Sequence, residues 1–280
     1  MREILASDIT SAVRDMCIEA NYQLSADMQK CLIEAQQVEE TPVGSSILEQ
    51  LQENLKIATE DQIPICQDTG LAVIFCEIGQ DVHITGGSLR EAIQEGVHRG
   101  YTEGYLRKSV VGDPIERTNT GDNTPAVVHY DIVEGDQVTL TVAPKGAGSE
   151  NMSRVVMLKP ADGIEGVKKV ILDTVSEAGP NACPPMVVGV GIGGNFERAA
   201  EMAKHALTRP ADSKADRPWA AELENEMLEK INRLGIGPAG LGGRVTALAV
   251  NIEVCPTHIA MLPVAVNICC HVNRHVKRIL

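Results

Sequence analysis

Apolar residues recur at steps of three and four along much of the chain, which is the spacing of helices that bury one face. Helices are predicted over most of the first sixty residues, at 88–107 with Ser88 as cap, and at 161–178, 195–207 and 217–233. Short continuous apolar runs, typical of buried strands, lie at 71–79, 185–192, 245–254 and 257–268. The pattern therefore predicts a mixture of helices and strands, with the helices concentrated near the N-terminus.

Two further strand patterns, 125–133 and 137–144, flank the turn Glu134-Gly135-Asp136 and predict an antiparallel hairpin. Elsewhere strands and helices alternate irregularly. Together these features predict an α+β fold, with a helix-rich N-terminal part and mixed or antiparallel sheets flanked by helices. The length allows one large domain or two modest ones. The polar, proline-bounded segment 208–218 is predicted to be a linker or a surface loop.

Charge and composition exclude several classes of partner. The net charge is −13 and aromatic residues make up 2% of the chain, so neither basic patches nor stacking platforms for nucleic acid are expected. The first residues lack the apolar segment of a secretion signal, and no apolar run approaches the roughly 18 residues of a membrane span. We therefore expect a cytoplasmic protein that binds neither nucleic acid nor membranes.

Eight cysteines are unusual in such a protein, because cytosolic disulfides are rare. None forms a C-x-x-C pair, which argues against zinc-ribbon and thioredoxin-type sites. Cys17, Cys31 and Cys76 lie within regular elements and are predicted to pack, whereas Cys255 is ambiguous. The remaining cysteines lie beside Pro, Gly, Asn or His and are candidate ligands of a shared metal: Cys66, Cys183, Cys269 and Cys270.

Other motifs leave alternatives open. Gly189, Gly191 and Gly194 match G-x-G-x-x-G between a predicted strand and helix, but no acidic residue closes a second strand, so a nicotinamide-binding oxidoreductase is a distant alternative. His258 lies near the suspect cysteines in sequence. Several arginines flank the polar, glycine-rich segments, and converging guanidinium groups would suit a substrate with two carboxylates.

Six segments, in this order, resemble the alpha subunit of the class I (iron–sulfur) fumarate hydratases and of their relatives, the L-tartrate dehydratases. The resemblance extends from about residue 5 to the C-terminus and implies one cluster-binding domain over residues 1–280. The segments are "PICQDTG", "LRKSVVGDPIERTNTGDNTPAVVHY", "APKGAGSENMS", "NACPPMVVGVGIGG", "GPAGLGGRVTALAVNIE" and "THIAMLPVAVNICCHVNRH".

The resemblance implies a [4Fe–4S] cluster held by Cys66, Cys183 and Cys270, with Cys269 competing for the third place. Cys270 is preferred because the family pattern resembles Cys-His-x-x-Arg, which ends here at Arg274. By the same resemblance, Asp68 and His258 are catalytic, with Asp68 handling a proton. The substrate-binding residues that it implies are Gln67, Arg107, Gly146, Gly148 and Arg274.

The implied reaction is the reversible hydration of fumarate to L-malate in the tricarboxylic acid cycle, with an iron left open by the three-cysteine ligation acting as Lewis acid. The alternative within the family is dehydration of L-tartrate to oxaloacetate. The resemblance also implies that a separate beta subunit supplies the rest of the active site. A heterotetramer or higher assembly, active only as the complex, is therefore expected.

Overall fold

Three helices occupy most of the first sixty residues in the computed structural model, which describes residues 1–280. Five more helices follow along the chain. The helices are α1 Ala6–Tyr22, α2 Ala26–Val38, α3 Pro42–Asp61, α4 Leu89–Glu103, α5 Ala147–Glu150, α6 Gly163–Ala178, α7 Phe196–Ala206 and α8 Pro218–Asn232. None of them combines the length and the apolar character that a membrane crossing requires.

Ten strands alternate irregularly with these helices. They are β1 Arg2–Leu5, β2 Leu71–Gly79, β3 Val82–Thr85, β4 Val127–Val133, β5 Val138–Lys145, β6 Arg154–Leu158, β7 Met186–Gly194, β8 Ala247–Thr257, β9 Leu262–Cys269 and β10 Val276–Ile279. Both sheets of four strands contain parallel and antiparallel pairs. The predicted α+β class, with mixed sheets and a helix-rich N-terminal part, is confirmed.

Backbone contacts divide the chain into two compact units. Unit 1 comprises residues 1–25, 55–147 and 274–280, and unit 2 comprises 26–54 and 148–273. Segment 208–218 lies inside unit 2 between α7 and α8, so it is a surface loop and not a linker. The single-domain organisation over residues 1–280 stays a prediction.

In unit 1, helices α1 and α4 pack against a sheet whose strand order is β10-β5-β2-β4. Ser88 accepts a hydrogen bond from the Glu91 N–H and caps α4, as predicted. The two helices approach closely because glycine recurs along α4: a Cβ at Gly96 would lie 2.6 Å from the Cβ of Val13. The apolar side chains of both helices therefore form one core with β2 and β5.

The predicted hairpin of β4 and β5 is wrong. Strand β2 lies between them, parallel to β4 and antiparallel to β5. Strand β2 is buried along most of its length, whereas β4 is largely exposed. The more apolar strand thus takes the central place, and the turn 134–136 joins strands that do not pair.

In unit 2 the strand order is β6-β9-β7-β8, and β7 lies in the interior of the sheet. A core of α6, α8 and one face of this sheet covers β7 from one side. Helix α7 covers the other side at very short range, since a Cβ at Gly189 or Gly191 would lie 2.1 Å from a carbonyl oxygen of α7. These glycines lie within the strand and serve helix packing, so they do not form the phosphate-binding turn of a nicotinamide site.

Candidate active site

The segment 66–70 folds into a turn around the Cys66 sulfur. The Asp68 N–H donates to Cys66 Sγ over 3.4 Å, and Cys66 Sγ lies 3.4 Å from the amide oxygen of Gln67. Asp68 Oδ1 accepts the Gly70 N–H at 3.1 Å, which closes the turn. Gly70 has φ +76, and a Cβ there would lie 2.7 Å from the Lys145 nitrogen, so only glycine fits.

The second oxygen of Asp68 connects this turn to the segment that follows β5. Oδ2 accepts the Ala147 N–H at 3.0 Å, and a Cβ at Gly146 would lie 3.1 Å from it. Backbone N–H groups thus orient the carboxylate from two directions. The predicted residues Gln67, Asp68 and Gly146 therefore lie together in unit 1.

Arg274 lies against the same turn and is almost fully buried, with 3% of its surface exposed. Its Nη2 group donates to the Asp68 carbonyl oxygen. Its Nε and Nη1 groups have no hydrogen-bond partner within the chain. A buried guanidinium with unused donors is unfavourable unless an acceptor meets them, and a carboxylate is the acceptor that suits it best.

Two polar side chains that sequence reasoning missed hold the turn through hydrogen bonds to its carbonyl oxygens. The Tyr101 hydroxyl donates to the carbonyl oxygens of Thr69 and Gly70, at 2.8 and 3.1 Å. Asn123 donates to the Gly70 carbonyl oxygen at 3.1 Å and accepts the N–H of Ser109 at 2.7 Å. Both Tyr101 and Asn123 are fully buried, and burial raises the pKa of Tyr101 well above its ordinary value.

Arg107 is tied to the turn through its backbone. Thr69 Oγ1 donates to the Arg107 carbonyl oxygen at 3.1 Å, while the Arg107 side chain is exposed and forms no ion pair within the chain. The same network that fixes the 66–70 turn thus positions the start of the loop carrying this arginine. Its guanidinium is available to a ligand.

In unit 2, Cys183 follows a 3₁₀ turn and adopts a left-handed backbone conformation, with φ 52 and ψ 63. Such conformations are strained in residues other than glycine and concentrate at functional sites. The Cys183 carbonyl oxygen accepts hydrogen bonds from the backbone N–H and from Nδ1 of His271, at 3.4 and 3.1 Å. Because His271 follows Cys270, the two cysteine-bearing segments of unit 2 lie against each other.

The structure distinguishes the two neighbouring cysteines. Cys269 is the last residue of β9, is 2% exposed and lies opposite Val187 in the sheet. Cys270 follows the end of the strand and is partly exposed. A thiol that must reach a cofactor needs this accessibility, which favours Cys270 as the ligand.

Gly148 lies near Cys183 in unit 2, whereas His258 does not. A Cβ at Gly148 would lie 3.6 Å from the carbonyl oxygen of Asn181. His258 is exposed and follows the end of β8, which lies opposite Gly194 at the C-terminal end of β7. Cys269 lies opposite Val187, at the other end of β7. At about 3.3 Å per residue, β7 separates His258 from the cysteines by roughly 20 Å.

Other cysteines are held within packed elements. Burial raises the pKa of the Cys17 and Cys76 thiols to about 12, so both stay protonated at neutral pH. The Cys31 thiol is half-buried, and burial together with nearby Glu34 raises its pKa to about 11. No two of the eight cysteines form a disulfide. The packing role predicted for Cys17 and Cys76 is confirmed.

The side chains also bear on what kind of cofactor could bind. No group of three or more His, Cys, Asp or Glu residues is arranged to hold a single metal ion. Instead the candidate donors are three thiols on loops: Cys66 and Cys270 are partly exposed and Cys183 is exposed. Cysteine thiolates are the usual ligands of iron–sulfur clusters, so the donor chemistry fits such a group.

Comparisons with known proteins identify the family. A family model described as "Fumarate hydratase (Fumerase)" matches residues 10–279. The putative L(+)-tartrate dehydratase subunit alpha of Methanocaldococcus jannaschii is 43% identical over 97% of both chains. The L(+)-tartrate dehydratase subunit alpha of Escherichia coli is 33% identical over 95% of this chain and 88% of the relative. The resemblance in the six segments is thereby confirmed: this chain belongs to the fumarate hydratase (Fumerase) family of hydro-lyases.

Proposed function

We propose that this chain is the cluster-binding alpha subunit of a hydro-lyase that converts L-tartrate to oxaloacetate and water. Both relatives described above carry the name of tartrate dehydratase, which supports the predicted alternative better than fumarate hydration. Hydration of fumarate remains the second candidate, because the family description names it. The predicted place in the tricarboxylic acid cycle has no support from the relatives' names.

The observation that carries the proposal is the pair of unused donors on Arg274 beside Asp68. A dicarboxylate supplies the acceptor that these buried N–H groups lack. The exposed guanidinium of Arg107, positioned through Thr69, would bind the second carboxylate. Two arginines would thereby orient a four-carbon diacid by its ends and counter the negative charge that develops during dehydration.

Cys66, Cys183 and Cys270 would hold a [4Fe–4S] cluster, since they are the accessible thiols at the segments that carry the resemblance. When bound, this cluster supplies an open iron that acts as a Lewis acid on the departing hydroxyl. The strained Cys183 backbone supports the assignment, because such strain persists where a side chain has to be presented in one direction.

Asp68 would handle the proton at its carboxylate oxygens, and Gln67 would bind the substrate through its amide. The hydrogen bonds from Gly70 and Ala147 orient the Asp68 carboxylate, as a proton-transferring group requires. Gly146 and Gly148 would allow close approach of the backbone to substrate. The predicted catalytic role of His258 has no support from the geometry of unit 2.

A beta subunit would complete the enzyme, since both relatives are named as alpha subunits. We propose that the two chains form a heterotetramer or higher assembly and that the alpha chain is inactive alone. The substrate contacts that distinguish tartrate from malate would then be shared with the partner.

The test is to purify the alpha chain anaerobically with and without its beta subunit and to quantify iron and sulfide. The complex is then assayed with L-tartrate, malate and fumarate. We expect about four iron and four sulfide per alpha chain, and tartrate dehydration only by the complex. A higher kcat/KM on malate than on L-tartrate would assign malate as the substrate. A reconstituted protein without iron would overturn the cluster assignment and leave the family membership intact.

A further inference from the structure

The outer edge of β4 in unit 1 is an open sheet edge with exposed apolar side chains. Strand β4 is the terminal strand of its sheet. Three of its residues are large and apolar yet exposed: Val127 at 41%, Tyr130 at 42% and Ile132 at 74%. Open edges of this kind can pair with another strand, and proteins usually blunt those that are not meant to pair.

The edge strand β8 of unit 2 shows such blunting. Side-chain oxygens occupy backbone N–H groups along β8 and the residues just before it. Glu39 accepts from Arg244 and Val245, and Asn232 accepts from Thr246 and Ala247. Glu224 accepts from Ile252. Along β4, only the Ile132 N–H is covered in this way, by the side chain of the adjacent Asp131 at 2.9 Å.

The backbone of β4 shows which residues face outward. The Val133 carbonyl oxygen accepts the Gln80 N–H just beyond β2, so odd-numbered residues direct their backbone groups toward β2. Even-numbered residues consequently direct theirs outward, in agreement with the Ile132 N–H. Val128, Tyr130 and Ile132 therefore carry the backbone groups that an added strand would meet.

We propose that β4 pairs antiparallel with β4 of a second copy of this chain, with Tyr130 opposite Tyr130 on the two-fold axis. In this register Val128 of one copy faces Ile132 of the other. On pairing, the Ile132 N–H exchanges its bond to Asp131 for the Val128 carbonyl oxygen of the second copy, which releases the Asp131 carboxylate. His129, whose ring stacks on Phe75, faces Asp131 of the other copy, so an imidazole N–H meets a carboxylate at two places in the pair. Centring on 129 or 131 would instead set His129 against itself or Asp131 against itself.

This register also buries exposed apolar side chains of β4. Val128 already packs against the core of unit 1, and Tyr130 and Ile132 follow it on the same face of the strand. A second strand would extend that face and cover Ile132. The result is one sheet of eight strands across two chains, closed by its two-fold symmetry. The proposal is independent of the cluster and of the substrate.

Cysteine cross-linking tests the register in the full chain and in its complex with the beta subunit. Tyr130→Cys places two thiols on hydrogen-bonded paired residues, about 5.5 Å apart between Cα atoms and within disulfide reach. The matched variant Ile132→Cys places its two thiols roughly 13 Å apart along the strands. We expect a covalent alpha–alpha dimer on mild oxidation of Tyr130→Cys and none above wild-type background for Ile132→Cys.

Charge exchange provides a second, non-covalent test by sedimentation velocity. His129→Glu sets acid against Asp131 in both pairs and is expected to weaken dimerisation at least about tenfold. The double variant His129→Glu/Asp131→Lys sets opposite charges against each other and is expected to recover the dimer. Ile259→Asp, at a residue 91% exposed outside β4, serves as the control for loss of surface apolarity and should not change the dimer.

Three results would overturn the proposal. The first is an alpha chain that stays monomeric at tens of micromolar, together with a complex that contains a single alpha chain. The second is a dimer that is unaffected by His129→Glu. The third is protection of β4 amides from hydrogen exchange by the beta subunit without cross-linking of Tyr130→Cys, which would assign this edge to the beta subunit. Circular dichroism of every variant shows whether the fold is retained.

Discussion

The two units position their candidate ligands by different means. In unit 1, buried side chains hold the Cys66 turn through hydrogen bonds: Tyr101 and Asn123 donate to its carbonyls, and Arg274 donates to Asp68. In unit 2, the left-handed backbone of Cys183 does so, and its carbonyl oxygen accepts hydrogen bonds from the backbone N–H and from Nδ1 of His271. The side-chain hydrogen bonds of unit 1 can be removed one group at a time, whereas the left-handed backbone of Cys183 in unit 2 has no such graded variants.

The largest effect should come from the thiols of unit 2. We expect Cys183→Ser and Cys270→Ser to lose bound iron and to lower activity of the complex by roughly 10³-fold or more, because Lewis-acid stabilisation contributes several kcal/mol. Iron content and kcat are measured on anaerobic preparations. The matched control is Cys269→Ser, which should retain its iron. Loss of iron in Cys269→Ser but not in Cys270→Ser would reverse the assignment.

Arg274→Lys should have the next largest effect. A lysine has the charge but not the planar set of donors that reaches both Asp68 and a ligand. We expect kcat/KM to fall about 10²-fold, equivalent to roughly 3 kcal/mol. Arg278→Lys on β10, which pairs with Glu19 at the surface, is the control and should leave kcat/KM unchanged. An unaltered kcat/KM in Arg274→Lys would contradict a carboxylate-binding role.

Tyr101→Phe tests how far a single side-chain hydroxyl stabilises and positions the 66–70 turn of unit 1. Removing the hydroxyl leaves the Thr69 and Gly70 carbonyls without this donor and should lower the free energy of unfolding by about 1–2 kcal/mol. We also expect kcat to fall about tenfold, because Asp68 lies in the same turn. Tyr22→Phe removes a single hydrogen bond to Gly104 elsewhere in unit 1. It should destabilise the protein without changing kcat; equal kcat losses in both variants would refute a specific role for Tyr101.

Glu39→Gln should have the smallest effect and should depend on pH. Burial alone would raise the pKa of Glu39, but hydrogen bonds from Val245, Thr41 and Arg244 outweigh it and lower the pKa below its ordinary value. The ionised form is thus preferred in the folded protein, so its stabilisation is present above the unfolded-state pKa and is lost as pH falls through the folded-state pKa.

Because Glu39 is partly exposed, we expect Glu39→Gln to cost only about 0.5 kcal/mol at pH 7. The difference from wild type should vanish near pH 3. Thermal unfolding of both proteins between pH 3 and 7 measures it. A constant difference across this range would mean that the charge of Glu39 contributes nothing.

Local sequence patterns predicted most elements but not their pairing. The apolar run 71–79 became β2 with the same bounds, and Ser88 caps α4 as expected. The hairpin failed because β2, from far earlier in the chain, competes for the same strand edges and buries more apolar surface. Such competition is decided by contacts that no local window contains.

The candidate site shows the same limit. Cys66, Gln67 and Asp68 form one turn because they are adjacent, but Tyr101 and Asn123 reach it from more than thirty residues away. The polar segment around Asn123 was visible in the sequence, whereas the buried hydroxyl of Tyr101 carried no local signal. His258 stays a prediction: it is close to Cys270 in sequence, but within unit 2 strand β9 carries the chain along the length of the sheet between them.

Under the proposed cluster ligation, the left-handed conformation of Cys183 favours activity at the expense of stability. Glycine would relax this backbone by about 1 kcal/mol or more while deleting the sulfur. Random mutagenesis with selection for thermal stability alone should therefore accumulate glycine at position 183 and yield thermostable but inactive chains. Any programme to make this enzyme thermostable has to select for turnover at every round.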